Sequence, residues 1–65
     1  MTPAETIAFN QGAVFAFAEV IRNCGNVESA FDAAGFSDEE IAVCAEFDVS
    51  VIRDELNIPM PQGCD

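Results

Sequence analysis

The 65-residue chain has no histidine, lysine, tryptophan or tyrosine, and its only cationic side chains are Arg22 and Arg53. Each absence excludes something. Without His, the usual general base at neutral pH and the commonest metal ligand are missing, so most hydrolase, transferase and zinc chemistries lose their central residue. With two cations, the chain has little to set against a phosphate backbone, whose binding depends on Lys and Arg displacing counterions. Direct nucleic-acid binding is therefore not expected, and anionic membrane surfaces are repelled. Cys24, Cys44 and Cys64 form an odd set with no C-x-x-C pair, which neither a disulfide framework nor a metal knuckle produces. Free thiols are expected, with Cys64 the most accessible. Gly12, Gly25, Gly35 and Gly63 stand alone, so no phosphate-cradling loop is present. No apolar run reaches membrane-spanning length and Met1 to Asn10 has no cationic start, so neither a transmembrane helix nor a signal peptide is expected, and the cytoplasm is the expected location.

Two features dominate what is there. Apolar residues make up 51% of the chain, and 12 Asp and Glu give a net charge of −10. Disordered chains combine high charge with low hydrophobicity, so this chain should fold. Its length allows one domain, and a domain of about 60 residues buries only about 60% of the surface its unfolded chain exposes.

Thr2 as N-cap, Pro3 at the first helical position and Glu5 three residues after the cap open a first helix over about 3 to 24, stopped by Gly25 and Asn26. At 100° per residue, Ile7, Val14, Phe17, Ala18 and Ile21 form one face, and Phe9, Ala13, Ala16 and Val20 the adjoining one. Short partner helices cannot cover both. The second face is the candidate homodimer interface. A short second helix is expected over Asn26 to Ala34, anchored by Phe31 and ended by Gly35. Ser37-Asp38-Glu39-Glu40 reads as a capping box opening a third helix at about residue 38. Beyond Phe47 two versions remain open: one continuous helix to residue 57 along Ile41, Ala45, Val49, Ile52 and Leu56, or a separate last helix capped by Asp48. Pro59, Pro61 and Gly63 mark a loose, extended tail. The expected fold is all-α, a single helical domain over residues 1–58 with a tail at 59–65, in which one long apolar helix packs with two or three short acidic ones.

Glu40-Ile41-Ala42, Phe47-Asp48 and Val51 to Leu56 resemble the core of a helix-turn-helix unit, with Ala42 on the first helix and Ile52 and Leu56 on the second. Glu46 stands at the turn position that family fills with Gly, and Asp54 and Glu55 stand where it offers Arg, Lys or Gln to DNA. The resemblance implies a degenerate unit, either binding DNA weakly or antagonising a DNA-binding protein. With Gly35-Phe36-Ser37 before it, the stretch also looks distantly like ubiquitin-associated bundles. In length, acidity and lack of catalytic residues, the chain is similar to small proteins that bacteriophages and other mobile elements make to inhibit or redirect a host protein.

Nine of the twelve acids lie between Glu28 and Glu55. Such clustering serves solubility, a protein-binding face or imitation of a duplex. As catalytic pairs they lack a neighbouring nucleophile or His, and as calcium ligands they lack the alternating spacing of a binding loop. No catalytic residue, cofactor or metal is expected. The expected function is binding, as a stoichiometric inhibitor or modulator of a host protein with a basic surface. The candidate partner-binding residues are Phe36, Asp38, Glu39, Glu40, Phe47, Asp48, Val51, Asp54 and Glu55.

Overall fold

The computed structural model describes the whole chain, Met1–Asp65, and is all-helical. Four helices follow one another: α1 (Pro3–Arg22), α2 (Glu28–Ala34), α3 (Asp38–Ala42) and α4 (Glu46–Leu56). At 1.5 Å per residue the 20 residues of α1 span about 30 Å. That length sets the long axis of a molecule measuring 33 × 19 × 17 Å.

Both predicted capping boxes form. Thr2 Oγ1 accepts from the Glu5 N–H while the Glu5 carboxylate accepts from the Thr2 N–H. Ser37 and Glu40 do the same at the start of α3. The end of α1 departs from expectation. The helix stops at Arg22, and the left-handed residue of its C-terminal turn is Cys24 (φ 66°), not Gly25. The Gly25 N–H returns to the Val20 carbonyl at 2.7 Å and the Cys24 N–H to Ile21 at 2.9 Å, a Schellman closure. Gly25 is needed for its bareness, because a Cβ there would collide with Val20 Cγ1 and lie 3.0 Å from the Val20 carbonyl. α2 begins at Glu28, later than expected, because Asn26 Oδ1 accepts from the Glu28 N–H and holds the preceding residues in a turn. Gly35 ends it at φ 63°.

Of the two versions for the second half, the broken one is correct, but Asp48 is not the cap. The break falls at Val43 to Ala45, and Ala45 occupies the N-cap position without a side-chain cap. The missing cap comes from the far end of the chain. The Glu46 N–H donates to the Cys64 carbonyl, the Cys64 N–H donates to the Cys44 carbonyl, and Ala45 and Cys64 form an isolated parallel bridge. The Glu46 carboxylate accepts from the Gly63 N–H at 2.8 Å and from both terminal nitrogens of Arg53. Arg53 also reaches the Pro61 carbonyl at 3.4 Å. The tail is extended but not loose. Gly63 is obligatory in it, since a Cβ there would strike the Cys44 carbonyl and lie 2.9 Å from Val49 Cγ2.

The core joins Val14 and Ala18 of α1, Phe31 of α2, Ile41 of α3, Cys44 of the turn, and Val49 and Ile52 of α4. Phe17, Phe31 and Phe36 add an aromatic cluster with centroids 5.8 to 6.4 Å apart, Phe17 edge-on to both partners and Phe31 tilted to Phe36. Asn10, a polar residue at a core position, is buried and donates to Glu40 Oε2 at 3.3 Å, tying the cap of α3 to α1.

Candidate functional site

Spacing alone puts Phe47, Val51, Asp54 and Glu55 on one side of α4. The burial pattern turns that side outward: Phe47 is 75% exposed, Asp54 and Glu55 are exposed and Val51 is half-buried. The exposed ring is nonetheless held. Arg22 reaches across from the end of α1, its Nη2 donating to the Phe47 carbonyl at 3.2 Å and its guanidinium carbon lying 4.5 Å from the ring centroid. Such a cation–π contact contributes about 0.5–1 kcal/mol at an exposed site. It restrains the ring in a defined position against the surface.

Arg22 is fixed in turn by Glu19 at 2.7 Å and Asp48 at 2.9 Å. Bonding first to Glu19, and also to Asp48, raises the already high pKa of its guanidinium. Asp48, a candidate partner residue in the sequence, is therefore buried and engaged within the chain. Phe36 is half-buried in the aromatic cluster. Glu46, set in a turn by the helix-turn-helix resemblance, is instead the first residue of α4, and the turn is Val43 to Ala45.

Asp38 and Glu39 are exposed on the first turn of α3, whereas Glu40 is half-buried between the Ser37 cap and Asn10. Hydrogen bonds from the Ser37 backbone and side chain hold the Glu40 carboxyl below its usual range. α3 lies beside Asn10 while Phe47 lies beside Arg22, and the 12-position separation of those anchors corresponds to about 18 Å of helix. The acids of α3 and the exposed face of α4 are thus separate patches.

On α1, Phe9 is 61% and Val20 44% exposed, Ala16 is exposed and Ala13 is half-buried. The outer face expected to meet a second subunit is left bare. Phe15, which periodicity did not single out, is exposed beside it, and Ile7, assigned to the inner face, is 41% exposed. Gly12 opens on empty space.

Sequence reasoning missed the Arg22 hub and the Glu46 clasp. The available signal was scarcity: two cations among twelve acids do not go unpaired. Chemically the molecule is a display of fixed negative charge. Bonds to Thr2, Ser37 and Arg53 lower the pKa of Glu5, Glu40 and Glu46 respectively. Burial pushes the Cys44 thiol up, which keeps it protonated. Shifts in these directions move the groups away from proton exchange at neutral pH. No helix is long and apolar enough to cross a membrane. In comparisons with protein-family models, curated proteins and solved structures, the chain matches none.

Proposed function

We propose that the protein is a non-enzymatic interaction module that binds a host protein with a basic surface and inhibits or modulates it stoichiometrically. The observation that carries this reading is the exposed, restrained ring of Phe47 beside Val51, Asp54 and Glu55. An anchor already held in place loses less side-chain entropy on binding than a free one. Interfaces draw most of their energy from a few such aromatic residues, while charges around them govern encounter and partner choice. Because Arg22 and Arg53 are engaged in ion pairs, the negative surface has no free cationic side chain of its own to neutralise it.

The bare face of α1 supports a homodimer through Phe9, Ala13, Ala16 and Val20. Burial of apolar area is worth roughly 25 cal/mol per Å², and Gly12 allows another backbone to approach closely. Light scattering should give twice the chain mass at micromolar concentration, and Phe9→Asp should return it to the monomer. A stable wild-type monomer would remove the dimer from the proposal.

A second reading, antagonism of a DNA-binding protein, is favoured by the short turn joining α3 to α4, around which Ile41, Cys44, Val49 and Ile52 are buried. With Asp54 and Glu55 on the outward side of α4, such a unit would imitate DNA more readily than bind it. The two readings share one test. The immobilised protein should capture a basic protein from bacterial lysate, and Phe47→Ala should lose the capture while keeping its far-UV circular dichroism. A gel shift with duplex DNA at low salt, together with no protein capture, would overturn both.

A further inference from the structure

α2 and the end of α4 enclose a cleft that neither the Phe47 face nor the outer face of α1 includes. Its volume is about 450 Å³, within the range of roughly 300–1,000 Å³ typical of ligand-binding clefts. The apolar lining comes from Phe31, Phe36, Leu56 and Ile58, and Glu28 and Asp32 stand along its wall. Those two acids are four residues apart on α2 and exposed. Like charges at that spacing weaken a helix, and α2 is only 7 residues long. No cationic side chain offsets this: Arg22 is bound to Glu19 and Asp48, Arg53 to Glu46, and no other exists. An apolar lining with a negative, uncompensated wall is complementary to an apolar side chain flanked by Lys or Arg.

We infer that the cleft between α2 and the C-terminal end of α4 is the docking site for a basic segment of the partner protein, which inserts an apolar side chain between Phe31, Phe36, Leu56 and Ile58 and places its cations against Glu28 and Asp32. The inference rests on the reading that the partner is a basic protein, and it adds a second point of contact to the one at the Phe47 face. Phe36, half-buried in the aromatic cluster, forms part of the grip.

The test is an NMR titration of the isotope-labelled protein with a short synthetic peptide bearing a central Phe-Leu pair flanked on both sides by Arg and Lys. The expected result is saturable shifts centred on Phe31, Phe36, Leu56 and Ile58, and a dissociation constant weakened roughly tenfold or more by Glu28→Lys with Asp32→Lys. Should that pair unfold α2, two gentler variants read the same contacts: Glu28→Gln with Asp32→Asn removes the charges, and Ser29→Trp fills the mouth without changing charge. Both should weaken binding while circular dichroism is retained. An otherwise identical peptide with Asp and Glu in place of the cations should not bind. Shifts confined to the Phe47 face or to α1, unaffected by these variants, would overturn the cleft and leave the basic-partner reading standing. No saturable binding anywhere would overturn both.

Discussion

One carboxylate, that of Glu46, ties the start of α4 to the C-terminal tail. It accepts from Arg53 and from the Gly63 N–H, so a single side chain fixes both the first turn of α4 and the tail. Bonding to Arg53, then to the Gly63 backbone, lowers its pKa from the ordinary value of 4.5. A carboxyl whose pKa is lower folded than unfolded contributes stability that is present above the unfolded value and is lost as pH falls through the folded one. Glu46→Gln should therefore lower the melting temperature at neutral pH, and the gap from the wild type should close well below pH 4.5. Thermal melts at the two pH values check this; an equal gap at both would show that the charge contributes nothing. Arg22 illustrates why residue-scale detail was only partly legible. That it would be paired follows from its rarity, but Asp48 lies 26 positions away, and only packing brings it there.

At the scale of elements, legibility followed locality. α1 and α3 begin where the sequence puts them because each capping box lies within four consecutive residues. The start of α4 was misread because its cap is the backbone of Cys64, which no local pattern signals. The same reasoning explains the end of α1. A glycine near a helix end is ordinarily read as the left-handed residue, yet here Cys24 takes that conformation and Gly25 provides clearance for Val20. An L-residue in the left-handed region carries roughly 1–2 kcal/mol of strain. Cys24→Gly should relieve part of it and stabilise the protein by up to about 1 kcal/mol, less the added entropy of the unfolded chain. Urea denaturation should show a higher midpoint at unchanged slope. A lower midpoint would mean that the Cys24 side chain stabilises the turn.

Over the whole molecule, the net charge of −10 stands against only three salt bridges. Exposed pairs are worth about 0–1 kcal/mol each, while self-repulsion extends over the whole surface and is screened once the Debye length falls to about 8–10 Å. Raising ionic strength from a few millimolar to a physiological level should therefore raise the melting temperature; a fall would show that the ion pairs outweigh the repulsion. The all-helical class was readable from composition and periodicity. The candidate partner residues fall in several places: Phe47, Val51, Asp54 and Glu55 share a face, but Asp48 is consumed internally, Phe36 lines a different cleft, and the acids of α3 lie toward the other end of α1.

The central claim is that a restrained aromatic anchor binds while the acids beside it steer. The most direct measurement is the association and dissociation kinetics of the captured basic partner across a range of ionic strength. Phe47→Ala should leave the on-rate nearly unchanged and raise the off-rate by roughly tenfold or more. Asp54→Lys with Glu55→Lys should slow association at low salt and flatten its salt dependence, with a smaller effect on the off-rate. An on-rate that is unmoved by the charge reversal at low ionic strength, together with an off-rate indifferent to the loss of the Phe47 ring, would contradict the claim and reduce the acidic surface to a device for solubility.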